Sequence, residues 1–271
     1  MNKQRFIEQQ IALGYTLHQH DGIWWQQQSP FHCKPAFRYE TIVEGSSHPL
    51  WFRSIAGYSH LVPDGSPFNS SISVMMLHWD SKRLFEITDL SSSRRSKVRR
   101  GQKKNEIRLI TNLQFHLEDL RKVVISTRLR TGVGNPVSYY FDHYAKWCKE
   151  MLSLFEMDDR FWWGAFIDGR LVAYYQTVLV ESTLFIMAAK SHSDFLANYP
   201  NDTILFTVMS HALNELGCRK IEYGDWSQSD EKLFYFKQSY GFKKCDFPEY
   251  LHLNLISRPL LNIRRAKIKA K

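Results

Sequence analysis

The sequence predicts an α/β protein: a mixed, mostly antiparallel sheet flanked by helices, preceded by a smaller β-rich domain. Three observations predict it. From residue 106 onward, strand-like and helix-like patterns alternate without a repeat or low-complexity break. Asp21-Gly22 and Asp168-Gly169 each sit between two apolar runs, as type I′ hairpin turns require. The first 90 residues show weak helical periodicity outside 2–13 and carry Gly, Ser and Pro clusters between short apolar runs.

In chain order, residues 2–13 read as a helix, followed by the Asp21-Gly22 hairpin and by candidate strands at 37–43, 50–55 and 72–78. Ser91-Ser92-Ser93 is a suitable N-cap for a short helix over 94–104. Leu117, Leu120, Val124 and Leu129 fall at helical spacing and Gly132 stops that helix. A second helix is expected from Tyr139 to Leu152, then strands at 161–167, 171–180 and 183–189. Asn201, Asp202 and Thr203 are expected to cap a long helix whose face carries Leu205, Val208, Met209, Ala212, Leu213 and Leu216, ending at Gly217. After a strand at 219–225, Ser227, Ser229 and Asp230 start a helix that stops at Gly241. Strands at 242–247 and 250–256 close the fold, the second directing Leu251, Leu253 and Leu255 inward. The expected domains are 1–92, 93–262 and a basic tail, 263–271.

With 271 residues and 44% hydrophobic content, the chain can bury one large core or two smaller ones. No stretch approaches the roughly 18 apolar residues of a membrane span. The N-terminus lacks the apolar centre of a signal peptide, so a cytoplasmic protein is expected. Cys33, Cys148, Cys218 and Cys245 are scattered without a CxxC pair, and a lone His18-x-His20 is a weak zinc signal. No metal is therefore expected.

The net charge of +9 is uneven. Arg94, Arg95, Lys97, Arg99, Arg100, Lys103 and Lys104 form one cluster, and Arg264, Arg265, Lys267, Lys269 and Lys271 another. Such runs are either solvated faces or attract phosphates of a nucleotide cofactor, tRNA or an anionic membrane surface met peripherally.

Four segments carry a resemblance: SSSRRSKVRRGQKKNEIRLI, NYPNDTILFTVMSHALNELG, RKIEYGDW and LFYFKQSYGFKK. Their order and spacing over residues 95–255 resemble the GNAT superfamily, and within it the Fem-type and polysaccharide-associated acyltransferase branch. The resemblance implies a GNAT-like catalytic domain over 93–262 with a partial GNAT-like companion before it. It implies N-acyl transfer from an acyl thioester such as acyl-CoA to the amine of an amino sugar, amino acid or peptide. Aminoacyl-tRNA is the alternative donor, and a catalytically silent module binding RNA or a membrane surface is the alternative of another class.

Lys237 precedes Gly241-Phe242 where many GNAT enzymes place a tyrosine that protonates the leaving thiolate; the resemblance to the Fem-type branch implies that this lysine stabilises charge on the reacting groups. Read from the residues alone, it is equally a lysine on an amphipathic helix. Asp225, ending its strand, is the candidate acceptor of the amine proton, or else a cap of the next helix. Glu222 points to the opposite face. The resemblance implies donor contacts at Ala188, Ala189, Lys190, Tyr199, Asn201 and Thr203. Trp226 and Phe236, with Tyr199, are candidates to line the substrate pocket, and Arg99 and Arg100 to grip phosphate.

One stretch departs from the family pattern. Residues 190–201 hold no glycine where coenzyme A-dependent GNAT enzymes carry a glycine-rich loop, and Asp202 beside them would oppose an anion. That departure leaves room for the tRNA-borne donor. A serine nucleophile lacks its GxSxG elbow and no cysteine has a recognisable motif, so direct attack in a ternary complex is expected.

Overall fold

A computed structural model describes residues 1–29, 31–226 and 230–254 of the chain. The expected caps Ser227 and Ser229, Leu255 of the last strand and the basic tail lie outside the described residues. The chain forms two compact units, one of Met1 with Val74–Cys245 and one of Asn2–Ser73 with the C-terminal segment from Asp246. The boundary thus falls at 73/74, within a strand, rather than at 92/93, and the last strand returns to the N-terminal unit.

The N-terminal unit begins with α1 (Lys3–Ala12), capped by Asn2. Strands β1 (Leu17–His20) and β2 (Ile23–Ser29) follow, joined by Asp21 and Gly22 with φ of 49° and 76°. These positive angles explain the Asp-Gly pair, since a type I′ turn requires both. Next come β3 (His32–Pro35), β4 (Gly57–Leu61) and β5 (Ser70–His78). Within this unit β1, β2, β3, β4 and the C-terminal strand β11 (Lys243–Leu253) pair in that order, β3 and β4 in parallel. Two expected strands are absent: 37–43 makes only an isolated bridge at Thr41, and Trp51–Arg53 is a 3₁₀ turn. Their apolar residues suggested strands, but Trp51 and Phe52 face solvent rather than a ladder partner. The closing pair at 242–247 and 250–256 is likewise one strand, β11.

The larger unit opens with the end of β5 and α2 (Ser92–Gln102), whose N-cap is Ser91, and continues with β6 (Glu106–Leu109). α3 (Leu117–Thr131) has acidic residues in its first turn and Arg128 and Arg130 in its last, complementing its dipole. It stops at Gly132, φ 73°. The helix expected over 139–152 is broken at His143 into α4 (Tyr139–Asp142) and α5 (Tyr144–Phe155). Then come β7 (Arg160–Ile167), β8 (Arg170–Val180) and β9 (Thr183–Ser191). α6 (Pro200–Ser210) continues as a π-helical turn over His211–Glu215. β10 (Lys220–Asp225) and α7 (Glu231–Gln238) complete the unit.

Its sheet runs β5-β10-β9-β8-β7-β6, antiparallel except for β10 beside β9. β8 lies at the interior and reads as a nearly unbroken apolar run because both of its faces are covered. One face packs Val98 of α2, Ile204, Leu205, Val208 and Met209 of α6 and Phe242 beyond α7. The other packs Leu120, Val123 and Val124 of α3 with Trp147 of α5.

The start of α6 differs from expectation. Its N-cap is Tyr199, in left-handed conformation with φ 56°, and Pro200 takes the first helical position. Asn201 and Asp202 make no cap because their side chains are engaged elsewhere. Buried Asp202 accepts Arg94 Nη1 at 2.8 Å and the Tyr240 hydroxyl at 2.9 Å, while Arg94 Nε donates to Ser239 Oγ at 2.6 Å. The carboxylate expected to oppose an anion is therefore already paired. Burial and the Asp202 carboxylate push the Tyr240 phenol far above its ordinary pKa, which keeps it a donor. Near the other end of α2, Gly101 leaves room for the α6 start: a Cβ there would meet Thr203 Oγ1 and the Tyr199 carbonyl. Asn105 Nδ2 donates to Gly101 O at 2.8 Å and to Asn198 O at 2.7 Å.

Two outcomes follow for urea unfolding. Gly101→Ala should lose about 1–3 kcal/mol, because backbone and a buried hydroxyl must move. Asp202→Asn should lose about 3 kcal/mol, because it leaves the Arg94 charge without its partner.

Candidate active site

Two irregularities open the sheet. β9 and β10 pair in parallel only as far as Phe185 and Glu222, although β9 runs on to Ser191 and β10 to Asp225. Each strand departs at a bulge on its outer ladder. Against β8, Gln176 pairs with Ala188 and Thr177 with Ile186, so Met187 is the extra residue and is exposed. Against β5, Glu222 pairs with Met76 and Asp225 with Val74, so Tyr223 and Gly224 oppose Met75; Gly224 has φ 67°. Bulges bend the strand that carries them, and here they end the pairing between the two strands. Below the break, Tyr175 and Tyr223 share a hydrogen bond of 2.8 Å between their hydroxyls. Both phenols are buried, and burial raises both pKa values well above normal, so they remain neutral.

Lys237 stands over this floor. It is only 5% exposed, its Nζ lies 4.8 Å from the Tyr223 ring centroid, and it donates to the Asp225 carbonyl at 3.4 Å. The reading as a solvated lysine on an amphipathic helix fails on that burial. Burial pulls its pKa below the ordinary lysine value, while Asp225, Asp230 and Glu222 act in the opposite direction. A cleft of about 80 Å³ joins Lys237 to Met75, Asp225, Trp226, Leu233 and Phe234. Asp225 is exposed, and it is Asp230 that caps α7, accepting Leu233 N–H at 3.1 Å. The capping role considered for Asp225 thus belongs to its neighbour. Glu222 is buried, with Ile221 and Tyr223 on either side of it.

The structure brings Lys237, Asp225 and Trp226 into one cleft and places the other expected residues elsewhere. Tyr199 lies under Arg100, whose guanidinium is 4.7 Å from its ring centroid. Arg99 and Arg100 line an open groove of about 360 Å³ on α2 with Arg95 and Lys103. Arg95 is partly committed, donating to Leu90 O at 2.9 Å. Asn201 donates to Ser191 Oγ at 2.9 Å, and Arg130 of α3 donates to the same hydroxyl at 3.1 Å and to Ser191 O at 3.0 Å. Lys190 is half-buried beside Arg130, and both burial and that positive neighbour lower its pKa.

Ala188 packs toward the α3 face and Ala189 toward the α6 face, so the pair lines both sides of β9. Thr203 is a correction. It is fully buried and its hydroxyl donates to Tyr199 O at 2.9 Å, which puts it in the α2–α6 contact and out of reach of a donor. Phe236 is also turned away from the cleft. It packs on Tyr240 at 5.2 Å and under Arg94 at 5.0 Å between guanidinium and ring.

Sequence reasoning passed over Arg94, Tyr223, Arg130 and Tyr240. One signal was present for Arg94: with Val98 and Gly101 it makes an i, i+4, i+7 stripe, the one non-solvated face of a basic helix. No local pattern marks the other three, whose partners lie far away in the chain.

No family model matches the chain, and no curated protein matches it. Solved structures do. FemX aligns with a TM-score of 0.63 at 13% identity, over 96% of this chain and 92% of that one. The C-terminal domain of a putative lysylphosphatidylglycerol synthetase from Agrobacterium fabrum aligns with a TM-score of 0.63 at 10% identity, over 94% and 90%. L-PGS from Bacillus licheniformis aligns with a TM-score of 0.55 at 11% identity, over 98% and 96%. At these identities the likeness is one of fold, and it extends over nearly the whole chain rather than over 95–255 alone. The chain shares the fold of FemX, of that synthetase domain and of L-PGS, a mixed α/β fold with a large, mostly antiparallel sheet flanked by helices.

Proposed function

We propose that the protein is an N-acyltransferase that moves an acyl group from an acyl thioester to the amine of an amino sugar, amino acid or peptide. The observation that carries this reading is the buried Lys237 ammonium at the open end of β10, beside the break between β9 and β10. A cation held in a partly dry cleft stabilises negative charge far better than one in water. The amine nitrogen attacks the carbonyl carbon, forming the C–N bond, and the negative charge that develops on the carbonyl oxygen faces Lys237. The C–S bond then breaks, and the thiolate leaves and takes up a proton. The proton lost from the amine goes to the Asp225 carboxylate, directly or through water. Ala188, Ala189 and Met187 would flank the acyl chain, with Lys190 and Asn201 toward the rest of the donor, coenzyme A in the acyl-CoA case.

A second reading keeps the chemistry and takes the donor as aminoacyl-tRNA. The α2 groove favours it, because Arg95, Arg99, Arg100 and Lys103 line one open face next to the start of α6. The neighbours' names, FemX and lysylphosphatidylglycerol synthetase among them, accord with transfer chemistry in general and leave both donors in play.

Thiol release from acetyl-CoA in the presence of glucosamine, free amino acids and short peptides tests the leading reading. Lys237→Ala should lower kcat by about 10²-fold with little change in the donor KM. An unchanged kcat in that variant would refute the role of Lys237. The pH profile gives an independent check. Because the Lys237 pKa is lowered, its ammonium is lost at a lower pH than that of an ordinary lysine, so the rate should fall on the alkaline side. Lys237→Arg keeps the charge, and whatever activity it retains should lack that alkaline fall.

A further inference from the structure

The smaller unit carries a cluster of exposed apolar side chains that the transfer reading does not use. Trp51 is 77% exposed, Phe52 47%, Phe31 48% and Ile55 39%. They are neighbours: the Trp51 and Phe52 rings are 6.0 Å apart, Trp51 and Ile55 line one groove, and the Phe31 carbonyl accepts Ala56 N–H at 2.8 Å. The groove, about 420 Å³, has Tyr58 stacked on His252 at 5.0 Å as part of its wall, with His48 beside them. The turn that presents these rings is fastened down. Ser54 Oγ donates to Leu50 O at 3.1 Å, Asn254 Nδ2 to Ile55 O at 2.6 Å and Cys33 Sγ to Arg53 O at 3.4 Å. A pinned turn holding a tryptophan and a phenylalanine out in solvent is not explained by core packing, since a core residue would be turned inward.

Charge identifies the occupant. Asn254, a wall of this groove, is followed in sequence by residues 255–271, which hold Arg258, Arg264, Arg265, Lys267, Lys269 and Lys271 and no acidic residue. Glu44, the carboxylate beside Tyr58 and Tyr250, is engaged by the Tyr250 hydroxyl. Tryptophan and phenylalanine tips with imidazole and amide groups at their rim suit the boundary between headgroups and acyl chains, and a basic segment starting at the same place suits anionic headgroups. A protein partner would need a complementary acidic surface as well as an apolar one; a bilayer containing anionic lipid supplies both at once. We propose that the face formed by Phe31, Trp51, Phe52 and Ile55 docks peripherally on an anionic lipid bilayer. This inference is independent of the acyl-transfer reading.

The test is co-sedimentation of the full-length protein with phosphatidylcholine vesicles made with and without phosphatidylglycerol. The wild type should bind the anionic vesicles saturably, and Trp51→Ala/Phe52→Ala should weaken that binding by about tenfold or more. Charge replacement in the full chain by Arg264→Gln, Arg265→Gln, Lys267→Gln, Lys269→Gln and Lys271→Gln should weaken it as well. A second measurement guards against a folding defect. Brominated lipid should quench wild-type fluorescence on binding, and the conservative Trp51→Phe should lose most of that quench. No binding to anionic vesicles by the wild type would overturn the proposal, as would wild-type binding by the double variant or an undiminished quench in Trp51→Phe. A concentration-dependent dimer of the wild type that the double variant abolishes would assign the face to a second copy instead, and would equally overturn it.

Discussion

The buried carboxylate of Asp202 is the interaction on which the rest of the larger unit depends. It sits in the first turn of α6, where it complements the helix dipole, and it is held by Arg94 of α2 and Tyr240 beyond α7. One carboxylate thus joins three segments far apart in the chain. Arg94 adds Ser239 Oγ and the faces of Phe236 and Tyr240, so the end of α7 is fixed from two sides. Lys237 lies on that last turn, between Phe236 and Ser239. Its height over the Tyr223 ring therefore follows from a contact that never touches the cleft. The Gly101 approach sets the same helices from the other end, where any side chain would strike Thr203.

Against that rigid frame, the opening in the sheet is made by backbone alone. Met187 is one extra residue on β9 and, on β10, Tyr223-Gly224 face the single Met75 of β5, and each bulge takes its strand out of register where parallel pairing ends. The gap is floored by two buried phenols that bond to each other. Above that neutral floor stands the Lys237 ammonium, with Asp225 exposed at the strand end and Asp230 and buried Glu222 also acting on it. The cleft at Lys237 therefore has a polarity set by packing, with the buried ammonium inside and the Asp225 and Asp230 carboxylates in its lining.

Much of this fold was legible from residue types with local consequences. Asp-Gly pairs marked both hairpins because their φ values must be positive, and Gly132 marked the end of α3 for the same reason. Lys237 was singled out from its place before Gly241-Phe242, and the structure buries it beside Asp225 and the Tyr223 ring. What escaped was non-local. Trp51 and Phe52 look like strand residues by composition, yet only their lack of a ladder partner shows that they form a turn. Asp202 reads as a helix cap or as a repulsive charge until Arg94 is found 108 positions away. The single strand β11 was read as two because Asp246, Pro248 and Glu249 look like a break; Glu249 is in fact buried and paired with Lys34 of β3. Thr203 was a donor contact only by resemblance, and here Gly101 draws a second helix over it.

The central claim is that this frame holds an acyl donor beside Lys237. Titration calorimetry of the wild-type protein with acetyl-CoA, longer acyl-CoAs and charged tRNA measures that directly. The account predicts saturable binding of an acyl-CoA at one site per chain, surviving moderate salt. Binding of charged tRNA alone would transfer the claim to the second donor. Binding of none of them would contradict it.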